Sequence, residues 1–374
     1  MTEEFLLFDM DGVLLMPGGY QQALKASIKR IGKALGAPKT EITSEQIHHF
    51  EALSVTNEWD SLAICTALVL LQVWRIDSNM RLTDENAPKP ENYLNEKPDF
   101  QSFLESFNHV GPLPGESAFQ KIMTENTWLD PDQKVHLEEI LFNCRDIYRS
   151  ITLPTHQETV LGSQAFQENY QLEPKLNIQS YLLKYDQPVL SPEQVNQLRA
   201  WLEHQGHHIG ILTNRPNGTP PDFISAPEAE LGAKLVGLAG VPLLGSGSLN
   251  WYAESKCALP QHTFLKPNPV HTLGLMQICL GKDIEEALSK SIALWEGQGK
   301  KADWESFEGA KVFIFEDSIK GLQSGLSAKS LLGELGIEIN LQLIGVSENP
   351  IKKQALLEIA EQIIPTINLF NWSF

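Results

Sequence analysis

Apolar and polar positions follow two different periods along this chain. The first apolar run, Phe5-Leu6-Leu7-Phe8, stops at Asp9, Asp11 and Gly12. A short apolar run closed by turn residues predicts a strand buried on both faces. Similar runs at His208–Thr213, Val312–Phe315 and Leu341–Val346 predict three more strands, with Val241–Leu244 as a shorter candidate. Between Leu35 and Gln205 the pattern predicts no strand. Apolar residues at Ala23, Leu24, Ile28, Ile31 and Leu35 have helical spacing over Tyr20–Leu35. Further helices are predicted over Ser44–Leu53, Asn57–Arg75, Gly115–Asn126, Asp132–Tyr148 and, more weakly patterned, Leu161–Tyr170. The third is apolar around most of its circumference, which predicts a central position. Residues Asp77–Pro98 are rich in Asn, Asp, Glu, Lys and Pro without a period and read as a long loop.

After Ser191-Pro192, an N-cap followed by proline at the first helical position, the strand and helix signals alternate. A helix to His204, the strand ending at Thr213, a helix to Leu280, the strand ending at Phe315, a helix from Ile319 and a last helix over Ile351–Gln362 follow in turn. Gly281–Gly309 reads as a partly helical insert. This alternation predicts an α/β fold with a Rossmann-like parallel sheet. Its core would comprise residues 1–16 and 186–374, and residues 17–185 would form a large inserted, mainly helical domain.

In a parallel sheet the C-terminal ends of the strands share one rim, where ligands bind. Those ends carry Asp9 and Asp11, Thr213, and Asp317. Two carboxylates about 4 Å apart repel by roughly 4 kcal/mol at an effective dielectric near 20. A hard divalent cation such as Mg2+ removes that cost. With Lys266 these stations make a coherent phosphoryl-transfer site. Asp9 would attack phosphorus, and Mg2+ would be held by Asp9, the Asp11 carbonyl and Asp317. Asp11 would serve as general acid and then base, and Thr213 and Lys266 would bind the phosphoryl oxygens.

The motifs resemble those of the haloacid dehalogenase superfamily. Phe8-Asp9-Met10-Asp11-Gly12-Val13 is similar to its first motif, Leu212-Thr213-Asn214 to its second and Lys266-Pro267 to its third. Glu316-Asp317-Ser318 with Gly321 is similar to its acidic fourth motif. The helical insert resembles the family's C1 cap, although it is larger than usual. The resemblance implies a Mg2+-dependent phosphatase acting on a small phosphorylated metabolite through an aspartyl phosphate. Substrate binding would involve Thr213, Asn214 and Lys266. Asp11, two residues after the nucleophile, favours phosphoryl transfer over dehalogenation. Glu316 would touch the metal directly or through water. A phosphomutase or phosphotransferase acting on a sugar phosphate, and a non-catalytic scaffold retaining the fold, are the competing readings.

The 374 residues carry a net charge of −18, which disfavours nucleic acid or an anionic membrane as the main partner. Four scattered cysteines suggest free thiols, and the acidic N-terminus does not resemble a targeting peptide, so a soluble cytoplasmic protein is expected. The apolar stretch Leu62–Trp74 is too short to span a membrane. Four further features carry secondary readings. His204, His207 and His208 read as a helix end and strand start rather than a metal site. Gly245-Ser246-Gly247-Ser248 reads as a flexible turn. Thr56-Asn57-Glu58-Trp59-Asp60 faintly resembles a cap segment of one branch of the family, or is an N-cap with a core tryptophan. Arg215 would reach a second anionic group or face water.

Overall fold

The computed structural model describes residues 2–82, 93–94, 96–111, 113–220 and 222–370. Half of the expected loop over Asp77–Pro98, namely residues 83–92 and 95, lies outside the described residues. The chain divides into two compact units, one of Met1–Pro17 with Asp186–Phe374, the other of Gly18–Tyr185. Among the described residues no helix is long and apolar enough to cross a membrane.

The second unit is helical throughout its described elements. Its helices span Gly19–Ala34, Ser44–Ala52, Glu58–Val73, Gln101–Ser106, Pro114–Glu125, Pro131–Phe142, Leu153–Leu161, Ser163–Tyr170 and Tyr181–Tyr185. Glu58–Val73 is buried along nearly all its length, as its all-round apolar sequence requires. Asp60, a buried carboxylate in its first turn, is neutralised by Arg145 at 2.8 Å. Two helices differ from expectation. The helix expected over Asp132–Tyr148 ends at Phe142, because the Asp146 carboxylate accepts from the Tyr148 and Arg149 amides and turns the chain locally. The helix expected over Leu161–Tyr170 begins at Ser163, and Gly162 separates it from a helix over Leu153–Leu161 that the pattern did not predict. At Gly162 φ is +82° and a Cβ would come within 2.6 Å of the Ser180 amide nitrogen.

The first unit holds a six-stranded, all-parallel sheet. Its strands are β1 (Glu4–Phe8), β4 (His207–Leu212), β5 (Leu243–Leu244), β6 (Lys311–Glu316), β7 (Asn340–Val346) and β8 (Gln362–Ile364), in the order β5-β4-β1-β6-β7-β8. Two further strands, β2 (Leu15–Met16) and β3 (Gln187–Pro188), pair antiparallel where the chain leaves and re-enters this unit. Helices flank the sheet in a Rossmann-like α/β arrangement. β1 shows why its sequence is apolar without alternation. Phe5 and Leu7 enter one hydrophobic cluster, and Leu6 and Phe8 enter the other.

The structure corrects several sequence expectations here. β3 is a strand in the stretch read as strand-free. The last helix covers only Pro350–Leu356, and Gln362 begins β8 instead of ending a helix. Gly245-Ser246-Gly247-Ser248 is not a flexible turn; it opens the helix Ser246–Cys257. The glycines are there for close approach, since a Cβ on Gly245 would lie 2.5 Å from the Arg215 carbonyl oxygen and one on Gly247 2.2 Å from that of Asn217.

Candidate functional site

β1 lies between β4 and β6, with Phe8 opposite both Ile211 and Phe315. Strand order runs outward through β4 and β5 on one side of β1 and through β6, β7 and β8 on the other. The order therefore reverses beside β1, and a crevice opens at the C-terminal ends of such strands. Asp9 follows β1 there, its amide donating to the Phe315 carbonyl at 2.9 Å. Glu316 ends β6, and Asp317 is the next residue. One carboxylate oxygen from each of Asp9, Glu316 and Asp317 lies within 4.8 Å of the others.

Lys266 enters this group from the loop before the helix Pro269–Cys279. Its Nζ donates to Asp9 Oδ1 at 2.7 Å, to Glu316 Oε2 at 2.6 Å and to the Leu212 carbonyl at 2.9 Å. Leu212 is the last residue of β4, so the same lysine ties three strand ends together. The Glu316 carboxylate also accepts from Ser318 Oγ at 2.7 Å. With both oxygens engaged by protein donors, Glu316 is the counter-charge of Lys266. Gly321 makes room for it, because a Cβ there would stand 1.9 Å from the Glu316 carboxyl carbon.

The turn after β1 is equally constrained. The Gly12 amide donates to the Leu15 carbonyl and the Leu15 amide to the Met10 carbonyl, a bridge that does not use the Asp11 carbonyl. Gly12 has φ of +81°, and a Cβ on it would sit 2.5 Å from Asp317 Oδ2. Any side chain at position 12 would therefore collide with the Asp317 carboxylate. Lys352, from the helix after β7, donates to the same oxygen at 2.6 Å.

Asp11 is held by Arg215. The guanidinium donates from Nε to Asp11 Oδ2 at 2.8 Å and from its NH2 nitrogen to Oδ1. Its NH1 nitrogen lies 2.8 Å from Asp186 Oδ2, a charge contact whose angle falls outside hydrogen-bond geometry. Thr213 is buried at the end of β4, and its hydroxyl accepts from the Arg215 amide at 3.1 Å. Its own amide donates to the Leu244 carbonyl. Asn214 is exposed.

The electrostatics follow from this crowding. Burial, then the neighbouring Glu316 and Asp317 carboxylates, push Asp9 well above the usual carboxylate range against the pull of Lys266. Burial raises Glu316 as well, opposed by Lys266 and Ser318. Burial alone would lower Lys266, but Asp9 and Glu316 outweigh it and hold the ammonium above its ordinary value. Five carboxylates, Asp9, Asp11, Asp186, Glu316 and Asp317, face three basic groups, Arg215, Lys266 and Lys352. Fully ionised, they leave two negative charges uncompensated. That surplus and an all-oxygen donor set fit one hard divalent cation such as Mg2+. Asp9 and Asp317 are the carboxylates of the cluster that would hold it.

Asp9, Lys266, Glu316 and Asp317 thus meet, as Asp11 and Thr213 do with Arg215. The roles of Lys352 and Asp186 were not anticipated. Lys352 has a faint signal, since it follows the Asn349-Pro350 helix start just beyond a strand end on the same rim. Asp186 has none, being an isolated acid where the chain returns from the helical unit. The rings of His204 and His207 meet edge to face with centroids 5.5 Å apart, while His208 turns away from both. His207 stacks on Trp201 with centroids 4.2 Å apart, and His208 reaches Glu3 at 2.6 Å.

No protein-family model matches the chain, and no curated protein does. A crystal structure solved as a target of the Northeast Structural Genomics Consortium is similar over 98% of this chain and 97% of its own, at 16% identity and a TM-score of 0.64. At that identity the likeness shows the fold.

Proposed function

We propose that the protein is a Mg2+-dependent phosphatase of the haloacid dehalogenase type, cleaving a small phosphorylated metabolite through a phosphoryl group carried on Asp9. The observation that carries this reading is the junction of Asp9, Lys266, Glu316 and Asp317 at the reversal of strand order. Asp9 Oδ2, not engaged by Lys266, is the attacking oxygen. Lys266 orients the Asp9 carboxylate and offsets the charge of the incoming phosphoryl oxygens. The Thr213 hydroxyl still has its proton to donate to one of those oxygens. As the P–O bond breaks, Asp11 passes a proton to the leaving oxygen, and it later takes one from the water that releases phosphate. When bound, Mg2+ supplies charge neutralisation between Asp9 and the phosphoryl group.

Selection of the metabolite is assigned to the inserted helical unit, residues 18–185, as a cap. Its segment Thr56–Asp60 contributes less to that than its sequence suggests, because Asp60 is spent on Arg145 and on Cys144. The four free cysteines suit a reducing, cytoplasmic setting. The test is hydrolysis of a panel of phosphate esters with and without Mg2+. Release of inorganic phosphate that needs the cation and is lost in Asp9→Asn supports the reading. Turnover that survives Asp9→Asn refutes it.

A further inference from the structure

Arg215 stands where a simple reading of the proposed reaction leaves no work for it. We infer that Arg215, anchored on its far side by Asp186, is a positioning residue that aims the Asp11 carboxyl at the leaving oxygen. This rests on the proposed phosphatase reading and adds to it a dependence on the kind of ester.

Several observations point the same way. The Arg215 side chain is 2% exposed and Asp186 is fully enclosed, whereas Asp11 keeps 36% of its side chain open. The pairing to Asp11 is two-pronged, which fixes the carboxyl plane as a single contact would not. Each Asp11 oxygen gives one lone pair to Arg215 and keeps another for the proton it must pass. Nor is the arginine free to swing. Its amide donates to Thr213 Oγ1 at 3.1 Å, and its carbonyl accepts from the Ser246 amide at 3.0 Å. Gly245 lies so close that any Cβ would be 2.5 Å from that carbonyl oxygen. A buried cation held this firmly between two carboxylates, one partly open and one closed, is a mount for the open one.

The step it serves is balanced within the proposed reaction. An Asp9 oxygen bonds to phosphorus, the bond from phosphorus to the ester oxygen breaks, and the Asp11 proton goes to that oxygen. An alkoxide leaves only with that proton, whereas p-nitrophenolate leaves without it. Misplacing Asp11 therefore damages cleavage of an alkyl ester far more than cleavage of p-nitrophenyl phosphate.

The experiment is rapid-quench measurement of leaving-group release in the first turnover, with Mg2+, for glycerol phosphate and p-nitrophenyl phosphate. First-turnover release is read because Asp11 also serves the later hydrolysis of both. Arg215→Lys keeps the charge and loses the fork. Asp186→Asn keeps the shape and loses the anchor. Each is checked for folding by circular dichroism. The inference expects at least about a tenfold loss with glycerol phosphate, and a several-fold smaller loss with p-nitrophenyl phosphate, in one or both variants. Equal losses with the two esters, or none, overturn the inference and leave the phosphatase reading standing. A wild-type protein that releases neither leaving group overturns both.

Discussion

The Lys266 ammonium lies 2.6 Å from the Glu316 carboxylate, with side chains 3% and 1% exposed. The same ammonium is 2.7 Å from Asp9. One enclosed cation thus serves two enclosed carboxylates. Removing it strands both, and stranding a buried charge costs about 3–5 kcal/mol. Lys266→Met is expected to lose stability of that order in urea unfolding and to lose activity. Pairing it with Glu316→Gln should recover part of the stability, because fewer unpaired charges remain, but none of the activity.

Gly321 sets a second prediction with a control on the same helix. A methyl on Gly321 would meet the Glu316 carboxyl carbon at 1.9 Å, and Glu316 cannot retreat without leaving Lys266 or Ser318. Gly321→Ala should cost about 1–3 kcal/mol, as overpacking does. Gly333 lies near the other end of the helix Ile319–Glu334 with nothing within 4 Å of its Cβ position. There the same substitution should be neutral or stabilising by up to about 1 kcal/mol. Thermal melts of the two variants make the comparison.

Cation binding should show itself in stability before any substrate is known. Burial and two neighbouring carboxylates raise Asp9. A raised native carboxylate contributes stability that is present below its ordinary range and lost as pH rises through the raised value. Without added cation, the protein should therefore lose stability as pH rises above the usual carboxylate range. Mg2+ should restore it near neutral pH, by about 2.7 kcal/mol at a hundredfold excess over its Kd. Asp317→Asn should weaken that response in a Mg2+ titration followed by thermal unfolding.

His271 provides a pH effect of the opposite sign. Burial, then the nearby Lys266, push it down to about 3, and its Nε2 faces the Leu244 carbonyl at 3.0 Å. A depressed native value contributes stability that is present above the ordinary histidine value and lost as pH falls towards the depressed one. From about pH 6.5 downward this residue should steepen acid unfolding by up to roughly 1.4 kcal/mol per pH unit. Urea midpoints measured from neutral to acid pH should be flatter for His271→Gln than for the wild type.

The sequence displayed the long strands because their burial on both faces demands unbroken apolar runs. Phe5–Phe8 and Val312–Phe315 are legible for that reason. Strands of two or three residues, such as Gln187–Pro188 and Gln362–Ile364, offer too few positions for any period. The helix Ser246–Cys257 was hidden because its first turn is built of glycine and serine. Those residues serve close packing here, yet they carry the same letters as a turn. Asp9, Asp11, Glu316 and Asp317 stood out because each ends or follows a strand, and Lys266 because it stands with Pro267 just before a helix. The work of Arg215 did not, since its partners Asp11 and Asp186 lie far from it in the chain and only the fold brings them together.

Covalent capture of the phosphoryl group tests the central claim most directly. The protein is mixed with a phosphate ester and Mg2+, quenched in acid within the first turnovers, digested and mapped by mass spectrometry. The account predicts one added phosphoryl group on the peptide containing Asp9, absent from Asp9→Asn. Ester hydrolysis with no phosphorylated peptide, or with the group on another residue, would contradict it.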